Sequence, residues 1–236
     1  GQVRPIGGAP TLGDLGGQPL TRPIVGMAPT HSGSGYWLVA SDGGIFAFGD
    51  AGFFGSTGNI RLNKPIVGMT STPTGRGYWF VASDGGIFAF GDARFFGAPS
   101  NVRQPIVGMA ATPTGNGYWC VARDGSVYSF GDAGFKGAAP NTAQTTGIVA
   151  SRSGNGYWIS GAAGDIYAFG DARGFGGTGN LAQPVVGLAA TPKGGGYWLV
   201  ARDGGIFSFG DARFFGSTGN IRLNQPIVGM TATSVL

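Results

Sequence analysis

The carboxylate, imidazole and thiol groups that this chain offers for acid–base or nucleophilic chemistry are eleven aspartates, one histidine and one cysteine, because the sequence contains no glutamate. Glycoside cleavage, for example, needs two carboxyl groups at a set separation, one to protonate the leaving oxygen and one to attack or to activate water. Ten of the eleven aspartates recur in two fixed contexts. Asp50, Asp92, Asp132, Asp171 and Asp211 each follow a glycine, and Asp42, Asp84, Asp124 and Asp203 each precede one, with Asp165 as a displaced fifth. A carboxylate repeated five times in one context is expected to serve the repeating unit. The Gly-Asp set should accept a backbone N–H or a Tyr or Trp proton at a strand end, with a repeated calcium or ligand contact as the alternative. The Asp-Gly set should form turns. Asp14 alone stands outside both sets.

His31 has no serine or cysteine partner in any recognisable pattern, so a catalytic triad is not expected. Cys120 occupies, in "GYWCVA", the place held by Leu38, Phe80, Ile159 or Leu199 in sister segments, which marks it as a small buried hydrophobe. One histidine and one cysteine do not make a zinc site, and no glycine-rich loop leads into a helix to cradle phosphate. The sequence is therefore read as non-enzymatic, with no cofactor and no metal.

The elements that carry these residues follow from repetition. "GYWLVASDGGIFAFGDA" (Gly35 to Ala51) returns almost verbatim from Gly77 to Ala93, and the Tyr-Trp pair begins at Tyr36, Tyr78, Tyr118, Tyr157 and Tyr197, at spacings of 42, 40, 39 and 40. Each unit reads as four short segments: A, "PIVGMAAT"; B, "GYWLVAS"; C, "GIFAFGD"; D, "ARFFGS". Asp-Gly between two apolar runs is a hairpin signal. Segments apolar or small on both faces, repeating about every 40 residues, indicate blades stacked around an axis. The expected fold is an all-β propeller of four-stranded blades occupying residues 1–236 as one domain. It has five complete repeats plus a composite sixth blade, closed by residues 1–22 and 225–236 together; a five-bladed ring is the alternative.

The repeated wording resembles the tandem repeats of many exported actinobacterial proteins, often found beside cell-wall hydrolases, over Pro23 to Met230. The resemblance implies an extracellular or cell-surface propeller and carries no assigned activity. The pairs Tyr36-Trp37, Tyr78-Trp79, Tyr118-Trp119, Tyr157-Trp158 and Tyr197-Trp198 hold all five tryptophans. Adjacent strand residues point to opposite faces, so one ring should pack toward each neighbouring blade. Sugar-stacking platforms are the rival reading of these rings.

Candidate binding residues are the polar ones left over. In an antiparallel blade the B–C turns and D–A connectors share one face. That face collects Asn59, Arg61, Asn63, Asn101, Arg103, Arg123, Arg202, Asn220, Arg222 and Asn224, whose amides and guanidinium forks suit hydroxyls, carboxylates and phosphates. A net charge of +4 permits anionic partners, but the arginines do not cluster, so nucleic acid is not favoured. No apolar run is long enough for membrane insertion. The expected function is a secreted or cell-surface binding module for carbohydrate or cell-envelope polymer at repeated shallow sites. A protein-interaction scaffold is the alternative, and a hydrolase or lyase acting at the axial opening is less favoured.

Overall fold

A computed structural model describes residues 1–179 and 181–233. It contains fifteen strands in five three-stranded antiparallel sheets. The first sheet is β1 (Ile24–Pro29), β2 (Gly35–Ala40) and β3 (Ile45–Gly49); the second is β4 (Ile66–Ser71), β5 (Gly77–Ala82) and β6 (Ile87–Gly91). The third is β7 (Ile106–Ala111), β8 (Gly117–Ala122) and β9 (Val127–Gly131); the fourth is β10 (Thr145–Ala150), β11 (Gly156–Gly161) and β12 (Ile166–Gly170). The fifth is β13 (Val185–Ala190), β14 (Gly196–Ala201) and β15 (Ile206–Gly210). Among the described residues there is no helix, and none long and apolar enough to cross a membrane.

Each sheet corresponds to segments A, B and C in order, with the same register. Met27 faces Leu38 and Trp37 faces Ala47 in the first sheet, and the equivalent pairs recur in the others. One register shift recurs as well, between Ile24 and Gly26 and their counterparts; it leaves Val25 as an extra residue, a bulge that tightens the local twist. The expected Asp-Gly hairpin is present as a three-residue loop. In the third sheet Gly125 takes φ +85° and its N–H bonds Ala122 O, while Asp124 Oδ1 accepts the Ser126 N–H at 3.1 Å. In the fourth sheet Ala163 stands where this aspartate would be.

Segment D was expected to be a fourth strand. In all five repeats it forms no ladder. Its backbone groups are taken by side chains. Trp37 Nε1 donates to Gly52 O at 2.7 Å; Tyr78, from the next sheet, donates to Gly55 O at 2.6 Å and accepts the Phe54 N–H at 3.1 Å. The segment then ends at the B–C turn of its own sheet, where the Thr57 N–H bonds Gly43 O. An extended segment whose donors and acceptors are met in this way has no remaining need of a strand partner.

The core lies between sheets. The middle strands β2, β5, β8 and β11 are buried at every residue. Four of the five tryptophans pack forward onto the tyrosine of the next sheet: Trp37 on Tyr78 (5.6 Å between centroids), Trp79 on Tyr118 (5.8 Å), Trp119 on Tyr157 (5.5 Å) and Trp158 on Tyr197 (5.9 Å). This is the opposite-faces arrangement expected of a Tyr-Trp pair, and it rules out the tryptophans of the first four sheets as open sugar platforms. Cys120 is fully buried in the same layer, as expected. Toward the axis, the A strands approach so closely that a Cβ on Gly108 would meet Gly147 Cα at 3.4 Å.

The termini extend this pattern. Gly7 sits against Phe215 of the fifth repeat, and Tyr36 donates to Gly13 O as Tyr78 does to Gly55 O. The Ile227 N–H bonds Arg202 O, as the Ile106 N–H bonds Ser83 O. The head thus bridges the fifth repeat and the first. Of the segment expected to help close the ring, 225–236, residues 225–233 are described, and residues 234–236 lie outside the described part of the chain.

Trp119→Ala should lower stability by about 3–5 kcal/mol. Trp198→Ala should cost less, because Trp198 is only half-buried and makes no such tyrosine contact. Denaturant midpoints of the two variants, measured side by side, test this; equal losses would contradict it.

Candidate functional site

The two ends of each sheet differ in chemistry. At the A–B loop end, each Gly-Asp carboxylate accepts hydroxyl donors. Thr30 Oγ1 reaches Asp50 Oδ1 at 2.8 Å, and Ser32 Oγ reaches Asp50 Oδ2 at 2.5 Å. Thr72 and Thr74 do the same for Asp92, and Thr112 and Thr114 for Asp132. Ser151 and Ser153 serve Asp171. Asp211 receives Thr191 alone at 2.7 Å, because Lys193 replaces the second hydroxyl. The expected partners, backbone N–H or Tyr and Trp protons, are corrected here to Thr and Ser hydroxyls. The indole protons go to D-segment carbonyls, including Arg94 O, Arg173 O and Arg213 O.

At two of these sites, Asp50 and Asp171, the hydroxyl donors favour the ionised carboxylate. The Ser32 and Thr30 hydroxyls lower the Asp50 pKa, and those of Ser153 and Ser151 lower that of Asp171 against a smaller opposing effect of burial. Asp14, the one unrepeated acid, is likewise committed: its carboxylate accepts the Gly16 and Val3 N–H groups at 2.7 and 3.1 Å, which lower its pKa. Burial pushes the Cys120 thiol up to about 12, far from the range of a nucleophilic thiolate at neutral pH.

The B–C turns and D–A connectors meet at the other end, as the Thr57–Gly43 bond requires. All ten candidate residues, Asn59, Arg61, Asn63, Asn101, Arg103, Arg123, Arg202, Asn220, Arg222 and Asn224, are exposed there. Only some are gathered into a shape. Arg202 and Asn224 line an open depression together with Gln183, Asp203, Ile221, Leu223 and Gln225. A second depression, beside the fourth repeat, shares Gln183 and is lined by Ala162, Ala163, Leu181, Ala182 and Pro184. The other eight candidates stand on the same face, repeated from connector to connector, outside both hollows.

Four exposed aromatic rings that share one position of the repeat were missed at the sequence level, besides Phe215 at 52% exposure. Phe53, Phe95, Phe135 and Phe214 are 61–68% exposed, one on each D segment except the fourth, where Gly174 takes the position. The signal for three of them lies in the double Phe of "GFFG" and "RFFG"; Phe135 stands in "GFKG". Neighbouring residues of an extended segment point opposite ways, so only the second ring can enter the blade interface.

No family model matches the chain, and no curated protein matches it. Among solved structures, it is similar to the β-propeller domain of Myceliophteria thermophila Cps50 (Swd1), with a TM-score of 0.62 and 8% identity, over 89% of this chain and 76% of that one. The likeness establishes the fold: this is a β-propeller.

The hydroxyl-to-carboxylate bonds set an acid limit. A carboxylate whose folded pKa is depressed contributes stability that is complete above its ordinary pKa of 3.8 and lost as pH falls through the folded value. Urea midpoints should therefore be flat from pH 7 to about 5 and fall below pH 4. The fall should be shallower in a doubly substituted Asp50→Asn, Asp171→Asn chain, whose midpoint at pH 7 is already lower. An acid slope unchanged by the two substitutions would exclude these carboxylates as its source.

Proposed function

We propose that this protein is a non-enzymatic binding scaffold: a six-bladed propeller with a composite sixth blade, acting outside the cell or at its surface, whose connector face holds a hydroxyl-rich or anionic glycan such as a cell-envelope polymer. The observation that carries this reading is the division of labour between the two faces. The Gly-Asp carboxylates and Asp14 are each engaged by hydroxyl or N–H donors of their own repeat or segment, which suits them to building blades and not to acid–base work. The connector face instead presents arginine forks and primary amides to solvent around shallow hollows. Such contacts are individually weak against a flexible polymer, and repetition around an axis raises the effective concentration of each after the first. The net charge of +4 favours an anionic chain.

A second reading, a scaffold for protein partners, is supported by the four exposed phenylalanines, since exposed aromatics are frequent anchors in protein interfaces. Similarity to another β-propeller domain is compatible with either ligand class.

Retention on an acidic cell-wall polymer is the direct test. The wild-type chain should bind in a salt-sensitive way. An Arg202→Ala, Asn224→Ala variant should be retained several-fold less, and a chain with Phe53, Phe95, Phe135 and Phe214 changed to Ser should be retained as wild type. The reverse pattern would transfer the function to the aromatic belt and to protein partners. No retention on any wall fraction would end the glycan reading.

A further inference from the structure

The two hollows of the connector face are one site in two versions. Each lies where a B–C turn meets the connector that follows it in the chain. The Val185 N–H bonds Ala162 O beside the fourth repeat as the Ile227 N–H bonds Arg202 O beside the fifth, and the Thr178 N–H bonds Gly164 O as the Thr218 N–H bonds Gly204 O. A leucine underlies both turns. A Cβ on Gly164 would lie 3.2 Å from Leu181 Cδ1, and one on Gly204 would lie 3.4 Å from Leu223 Cδ1. The linings therefore correspond position by position. Arg202, Asp203 and Asn224 of the fifth repeat stand where the fourth has Ala162, Ala163 and Ala182. Gln183 lines both hollows, so the two adjoin.

The exchange of three polar side chains for alanine separates the hollows chemically. Among the described lining residues of the fourth, Gln183 alone has a polar side chain. Turn chemistry does not ask for this. Asp42, Asp84, Asp124 and Asp203 hold the position of Ala163 in the other four repeats, and Oδ1 of each accepts the N–H two residues on at 3.0–3.1 Å. The fourth repeat forgoes that bond and leaves a small apolar seat on a polar face. Ala163 and Ala182 are exposed and Ala162 and Leu181 are half-buried, so the seat is open to a ligand. In the fifth hollow Arg202 is the one cation, with the Asn224 amide near it, while the Asp203 carboxylate serves its own turn through the Gly205 N–H. At about 410 Å³ and 330 Å³ the fourth and fifth hollows are at the small end of ligand sites, which suits one sugar residue in each.

We propose that the two hollows together read a glycan in which an N-acetylated amino sugar stands next to an acidic sugar. The acetamido methyl sits in the fourth hollow on Ala162, Ala163, Leu181 and Ala182, where it leaves water without stranding a polar group. Gln183, on the border, donates its amide N–H to the acetamido C=O and accepts the acetamido N–H, a two-way match that one amide makes with another. The carboxylate of the adjoining sugar meets Arg202 and Asn224. A carboxylate placed in the fourth hollow instead would lose water and gain no cation, so discrimination comes from the difference between the two hollows. This inference rests on the glycan reading of the connector face and adds the substituent that the glycan carries.

Three soluble probes separate the parts: a hyaluronan fragment, in which a uronic acid alternates with an N-acetylated amino sugar; an oligogalacturonate, acidic with no acetamido group; and an oligomer of N-acetylglucosamine, with no acid. Calorimetry on the whole chain should rank the hyaluronan fragment first and each of the others about tenfold weaker, the effect of roughly one lost net hydrogen bond with its contacts. Ala163→Asn fills the apolar seat with a neutral residue shaped like the aspartate that four other repeats carry at that turn. It should keep the wild-type Tm, bind the hyaluronan fragment about tenfold less tightly and bind oligogalacturonate as the wild type does. Arg202→Ala should weaken both acidic probes and leave the N-acetylglucosamine oligomer unchanged. Equal affinity for the hyaluronan fragment and oligogalacturonate, or hyaluronan binding indifferent to Ala163→Asn, would overturn the acetamido subsite and leave the glycan reading standing. No binding of any probe would overturn both.

Discussion

The structure depends on one contact made again and again: a tryptophan of one sheet against the tyrosine of the next, with the tyrosine hydroxyl reaching the extended segment between them. Each ring contributes burial, and each polar tip finds a partner, so a large aromatic area is removed from water with its hydrogen-bonding groups satisfied. The pair also carries direction. Tyrosine looks back and tryptophan looks forward, which fixes the order and sense of stacking. A single sheet of three short strands would expose both faces, so its stability is inseparable from its neighbours, as in other repeat architectures.

The fourth repeat shows how little else is required. It has Gln144-Thr145 in place of the Pro-Ile or Pro-Val that opens the first strand elsewhere, shifts its turn aspartate to Asp165, and lacks the outer phenylalanine. Yet Tyr157 donates to Gly137 O and Trp158 to Arg173 O like their counterparts, and β11 is buried throughout. Turn chemistry and connector wording vary where they touch only solvent or their own unit. The aromatic pair is retained where two units must agree.

This division explains what was legible in the sequence. The strands, the hairpins, the burial of Cys120 and the opposed Tyr-Trp rings follow from local wording and a constant period, because each is decided within a few residues. The fate of the D segment was not legible. Its Val-poor, aromatic-rich wording reads as a strand, and only the tyrosine of the next repeat, more than twenty residues on, reveals that its N–H and C=O groups are already claimed. The carboxylate partners were hidden for the same reason, since Thr30 and Asp50 lie twenty residues apart. At the candidate face, exposure could be read from loop composition. The hollow joining Arg202 to Asn224 arises from the apposition of a hairpin turn and the next connector, which no local pattern encodes.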